Sequence, residues 1–157
     1  MSGPIGRRKK GERVLASATT LDGVLVAGTR DMLLIGARRI PWEGLQSADW
    51  DKESTTLRVA EVGDWGEERP VHVLVLPDPG RLLELVRERL TASVVLQRHV
   101  AVRGRKGVFV IARRAPRGDG PLKWVYEFQE GIDPTDPAVR RAAEAALAAA
   151  RDEVGLP

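Results

Sequence analysis

The sequence predicts an α+β protein: a bent antiparallel sheet capped by a helix, then a three-stranded antiparallel sheet with a C-terminal helix. Three observations predict it. Short apolar runs separated by turn residues follow one another closely from Arg13 to Leu76. Two later segments, opened by Asp78-Pro79 and Asp136-Pro137, carry helical spacing. Between them lie three more strand-like runs joined by turn-rich connections. Runs of four to eight residues bounded by glycine, proline and aspartate are strand signals, whereas helices need longer stretches with apolar residues three and four apart.

Arg13–Thr20 is rich in small and β-branched residues and reads as the first strand. Leu21-Asp22-Gly23 is a turn, because Asp-Gly adopts left-handed backbone conformations cheaply. Val24–Ala27 and Met32–Ile35 are short apolar strands separated by the break Gly28–Asp31. Ile40–Asp51 reads as the next strand, with Pro41 at its start, where a missing N–H does least harm to a sheet. Within it, Trp42 and Trp50 share one parity and Leu45 has the other, so a bulge or bend near Gly44 is needed to bring all three inside. Thr55–Val62 alternates, and Val71–Leu76, apolar at nearly every position, is predicted to be central in its sheet.

Asp78-Pro79 predicts a helix start over 79–92, with aspartate as cap and proline in the first turn. Leu82, Val86 and Leu90 form its apolar stripe. Val94–Arg103, Val108–Arg114 and Leu122–Glu130 read as strands, with Gly104-Arg-Lys-Gly107 as a hairpin turn. Trp124, Tyr126 and Phe128 alternate onto one face, which is expected to be core. Ala138–Val154 is rich in alanine, the best helix former, and Gly155 is the expected C-terminal cap. The chain thus divides into a flexible basic tail (1–11), a β-rich domain closed by a helix (12–93) and a βββα module packed on it (94–157).

Composition removes several chemistries. At 157 residues with 43% hydrophobic and 30% charged residues, the chain can build a real core. It contains no cysteine, which excludes disulfides, thiolate metal sites and cysteine nucleophiles. No apolar run approaches the ~20 residues that span a bilayer. The many arginines and alanines suit a GC-rich bacterial genome, and a cytoplasmic location is expected. The net charge of +3 hides an asymmetry. Residues 43–78 hold nine acids against three bases, whereas 90–118 holds seven bases and no acid.

The order of a hairpin, "GVLVAGTRDMLLI", a basic step into "RIPWEGLQSADWD", strands at "TTLRV" and "VHVLVL", and a closing amphipathic helix resembles the bacterial pleckstrin-homology-like domains. The resemblance covers about residues 12–93. It implies a strongly bent sheet plugged at one end by a helix, and a scaffold used mainly for protein contacts. Phosphoinositide-binding relatives place basic residues around the first hairpin loop. Leu21-Asp22-Gly23 has none, so that headgroup is not expected as a ligand. The helix–three strands–helix order of 78–155 resembles double-stranded-RNA-binding domains, with Arg140-Arg141-Ala142-Ala143 near the start of their basic final helix.

Chemistry-bearing residues are few. His72 and His99 lie in predicted strands without a serine or carboxylate at a telling spacing, and no dense ligand group suggests a metal. Asp49, Asp51 and Glu53 read as a solvated or edge-protecting acidic face. No catalytic residue, cofactor or metal is expected. The strongest electrostatic signal is a candidate surface for an anionic partner: Arg98, Arg103, Arg105, Lys106, Arg113, Arg114 and Arg117, joined by Arg140 and Arg141. Trp50 and Trp65 are candidate protein contacts. The reading is a non-enzymatic scaffold or adaptor for another macromolecule. The alternative is an RNA- or ribosome-associated protein that uses the basic 98–117 hairpin and the C-terminal helix.

Overall fold

A computed structural model describes residues 12–63, 69–118 and 120–154. The basic tail 1–11, Trp65 and the expected cap Gly155 lie outside the described residues. The chain is α+β. Strands β1 (Val14–Thr19), β2 (Leu25–Thr29), β3 (Met32–Ile35) and β4 (Arg38–Pro41) form an antiparallel meander in that order. Strands β5 (Leu45–Asp51), β6 (Thr56–Glu61) and β7 (Val71–Val75) form a second antiparallel sheet with β6 central. Helix α1 (Leu82–Ala92) leads into β8 (Val94–Arg103), β9 (Lys106–Arg113) and β10 (Lys123–Phe128), a third antiparallel sheet with β9 central, and helix α2 (Pro137–Glu153) follows.

The first hairpin turns at Gly23, whose φ of 89° suits a residue without Cβ. The Thr20 N–H closes the turn on the Val24 carbonyl at 2.8 Å. The expected single strand Ile40–Asp51 is broken. Pro41 ends β4, a 3₁₀ turn spans Trp42–Gly44, and β5 begins at Leu45 on the second sheet. The expected bend is therefore a corner between two sheets. Trp42 is wholly buried there, and its indole Nε1–H donates to the Thr29 carbonyl at 2.9 Å. Gly28 lets the ring come this close: a Cβ on it would lie 3.3 Å from Trp42 Cζ2 and 2.5 Å from Leu85 Cδ2 of α1. Truncating a buried tryptophan to alanine typically costs about 3–5 kcal/mol.

The parity problem is solved immediately afterwards. Leu45 pairs with Glu61 and Ser47 with Ala60, so Gln46 is an extra, bulged residue. Leu45 then faces inward together with Ala48 and Trp50, which pack on the core. Val26, Leu33, Ile40, Leu57, Val59, Leu74 and Leu76 complete that core from the two sheets, and Leu82 and Val86 of α1 close it.

Two expectations fail for identifiable reasons. β7 is an edge strand and not a central one: Val71 and Val73 are 49% and 56% exposed. Only alternate residues of the run, His72 and Leu74 among them, turn inward, and valine suits a half-exposed pleat as well as a buried one. Helix α1 begins at Leu82, and no side chain caps it. Gly80 turns left-handed with φ 55°, and the Leu82 N–H bonds to the Pro79 carbonyl at 3.0 Å. That tight turn carries Asp78 away from the free amides it was expected to cap.

The second core lies between the third sheet and α2. Val108, Ile132, Val139 and Ala143 are buried, and Tyr126 and Phe128 pack half-buried against them. Asp136 caps α2 as expected, its carboxylate accepting from the Ala138 N–H at 2.9 Å, with Pro137 in the first turn. The aromatic stripe is less buried than expected because β10 is an edge strand. The Arg151 guanidinium lies over the Trp124 ring at 5.9 Å. Among the described residues, no helix is long and apolar enough to cross a membrane.

The β8–β9 hairpin supplies a test of register. A Cβ on Gly107 would sit 1.8 Å from the Val100 carbonyl oxygen, whereas one on Gly104, at φ 59°, meets nothing within 4 Å. Gly104→Ala is expected to cost about 1 kcal/mol through backbone conformation alone. Gly107→Ala has no room unless the hairpin shifts, and is expected to cost more than about 3 kcal/mol. Urea denaturation of both variants checks the ranking; equal losses would contradict the observed pairing.

Candidate functional site

Between the two cores lies a polar cluster with Arg113 at its centre, beside the buried Ile111 and Val125 on the same face of the third sheet. The last residue of β9, Arg113 pairs in register with Val94 on one side and Lys123 on the other. It is only 5% exposed. Its Nη1 donates to the Leu90 carbonyl at 3.1 Å and to Ser93 Oγ at 2.7 Å, and its Nη2 donates to the Gln46 carbonyl at 3.3 Å. It therefore binds the C-terminal end of α1, where carbonyls lack helical partners, and the bulge of β5. Burial pushes the guanidinium below its ordinary value, while the charge of Glu127 acts the other way. Gln46 extends the link, its Nε2 donating to the Tyr126 carbonyl at 3.1 Å on the outer edge of β10. Arg69 Nη2 reaches the same carbonyl at 3.4 Å.

Above this junction, α1 and β5 flank a groove of about 450 Å³. Trp50, Leu83, Leu90 and Val94 form apolar walls, and Arg113 lines it as well. Arg87, Thr91 and Asp49 bring polar groups to it. Leu83, Arg87 and Thr91 are shared with a second depression of about 510 Å³ that lies beside it on α1, lined also by Glu84, Glu88 and Ala92. Trp50, a candidate contact from sequence, is thus half-buried in a concave apolar surface. Concave, mostly apolar sites with a few placed polar groups are where ligands and partner side chains bind.

The basic set does not come together as one surface. Arg113, only 5% exposed, lines the α1–β5 groove and stands apart from the exposed bases of the hairpin. Its strand position looked exposed because nothing local says that register would set it beside the end of α1. Arg98 forks onto Glu153 of α2, and Arg140 pairs with Glu144 at 3.1 Å. Arg103 lies 3.7 Å from Asp136. Arg105 and Lys106 are exposed at the tip of the β8–β9 hairpin, Arg117 is exposed in the β9–β10 connection, Arg114 is half-buried, and Arg141 is exposed on α2.

A second polar cluster was not expected. Glu61, 8% exposed at the end of β6, accepts from Arg38 Nη2 at 2.5 Å and Nε at 3.2 Å and lies 2.7 Å from His72 Nε2. It joins β4 to β6 and β7 beside a crevice of about 510 Å³ that Lys123 and Trp124 also line. His72, for which no carboxylate partner was expected from sequence spacing, is half-buried in this cluster. His99 is exposed, 2.8 Å from Gln129 Oε1 and against the Phe109 ring. Among the described residues, no group of three or more His, Asp and Glu side chains is placed to hold a metal ion. No protein-family model matches the chain, and neither a curated protein nor a solved structure matches it.

Burial pushes the Glu61 carboxyl up, but the hydrogen bonds and charges of Arg38 and His72 outweigh it and hold the group below its ordinary value. A depressed carboxyl contributes stability that is full above the unfolded value, near 4.5, and is lost as pH falls through the folded one. Denaturant midpoints measured from pH 7 downward are expected to fall below about pH 4.5, and the fall is expected to be shallower in Glu61→Gln. Parallel curves for the two proteins would assign the acid limb to other carboxylates.

Proposed function

We propose that the protein is a non-enzymatic cytoplasmic adaptor, and that residues 12–93 are a pleckstrin-homology-like domain carrying a protein-binding groove between α1 and β5. The groove is the observation that carries this reading. It is concave, its walls mix apolar side chains with Arg87, Thr91 and Asp49, and it places Trp50 where a partner can cover it. Aromatic side chains in pockets that lose their water on binding are typical energetic anchors of protein interfaces. The order of a four-stranded sheet, a three-stranded sheet and a closing helix supports the domain assignment. The nucleic-acid alternative draws less support. Of its nine bases, Arg98, Arg103 and Arg140 are near acids of α2 or its cap, and Arg113 is buried.

Thr91 is exposed and borders both depressions. Thr91→Arg is expected to leave folding intact and to obstruct the groove. A partner captured from native lysate, purified and titrated against the protein, is expected to bind the Thr91→Arg variant at least about tenfold more weakly. A partner indifferent to this change, or a bait that captures none, would overturn the groove as the adaptor surface. Retention on immobilised RNA that weakens steeply with salt would favour the alternative instead.

A further inference from the structure

This inference rests on the adaptor reading and names the chemistry of the segment that fills the groove. We infer that the α1–β5 groove receives a short partner segment with a carboxylate among apolar side chains, and that Arg113 is the counter-ion for that carboxylate.

Arg113 is a cation without an anion. A guanidinium has five N–H donors. Here three bonds use Nη1 twice and Nη2 once, so Nε and one Nη2 N–H are left over, and the buried Nε has no acceptor. All three acceptors are uncharged: two backbone carbonyls and a serine hydroxyl. The C-terminal end of α1 supplies a partial negative charge through Leu90, and Glu127 acts on the guanidinium only through space. Among the described residues, no carboxylate lies within ion-pair distance of it. Buried charges are ordinarily paired, because leaving water without an opposite charge is costly. Arginine is also the side chain best shaped to take a carboxylate through two parallel N–H bonds.

The surroundings define the rest of the ligand. Trp50, Leu83, Leu90 and Val94 offer no charge, so the body of the segment must be apolar. Arg87 adds a second cation to the lining, against which Asp49 is the one acid. Asp49 has Arg58 as its cross-strand neighbour. On the neighbouring ridge of α1, the second depression is lined by Glu84 and Glu88. An acidic side chain is therefore favoured beside Arg113 and Arg87 and disfavoured on the side of Glu84 and Glu88. From Leu83 to Ala92 the helix advances roughly 14 Å at ~1.5 Å per residue. An extended peptide of about four or five residues covers that length.

The test uses the full chain labelled with nitrogen-15 and two capped peptides, Leu-Leu-Glu-Leu-Leu and its glutamine counterpart. The Trp50 indole N–H reports occupancy. The acidic peptide is expected to shift that signal and to bind about tenfold more tightly than the glutamine peptide, with the difference shrinking as salt rises. Arg87→Gln, at an exposed position, is expected to narrow the difference. Because Arg113 also holds the junction together, its own substitution can unfold the protein, and the pair of peptides on the unaltered chain avoids that ambiguity. Equal binding of the two peptides overturns the inference and leaves the adaptor reading standing. Absence of any Trp50 shift with either peptide also overturns it, and the Thr91→Arg comparison with a captured partner still judges the adaptor reading separately. A shift produced by decanoate but by neither peptide would reassign the groove to a small amphiphile and overturn the inference as well.

Discussion

The burial of Trp42 at the corner between the first two sheets is the constraint on which the rest of the fold depends. A chain leaving β4 must turn sharply to begin β5, and the 3₁₀ turn does this with the indole directed inward. One hydrogen bond to the Thr29 carbonyl satisfies its only polar atom. The ring then fills the space that Gly28 leaves open, and Leu85 of α1 closes on the same glycine. The two sheets and the helix thus meet at one point. Moving the indole would disturb the first sheet, the start of the second and the seat of α1 together.

The second module is attached by different physics. The two apolar cores share no buried side chain. Between them lie Arg113, Gln46, Ser93 and Arg69, joined to backbone carbonyls and a hydroxyl. A junction of this kind is directional, because hydrogen bonds fix angles that apolar contacts leave free. It also has a desolvation cost that apolar packing lacks. The groove beside α1 lies next to this polar cluster and shares Arg113 with it.

Much of this was legible in the sequence where the determinants are local. Asp22-Gly23 marks its turn, Asp136-Pro137 its cap, and the conflicting parity of Trp42, Leu45 and Trp50 demands a bulge that the chain provides at Gln46. The half-burial of Trp50 is consistent with the two aspartates that flank it. The failures share a cause. The outward face of β7, the late start of α1 and the inward turn of Arg113 are set by which strand becomes the edge, by a left-handed glycine, and by a register between distant segments. None of these changes the residue pattern along the strand or helix concerned. Ser93 and Glu61 were missed for the same reason. Each is an ordinary polar residue near the end of its element, and only its burial beside an arginine distinguishes it.

The bulge at Gln46 has a further consequence. An inserted residue must leave the pairing of its own sheet, and this one turns toward the other module. Its carbonyl receives Arg113 while its side-chain amide grasps Tyr126 on β10. One residue therefore works as a lever with two arms, one on the lining of the groove and the other on the outer strand of the third sheet. The distortion that brings Leu45 into the core also frees one residue to hydrogen-bond across the seam between two hydrophobic interiors.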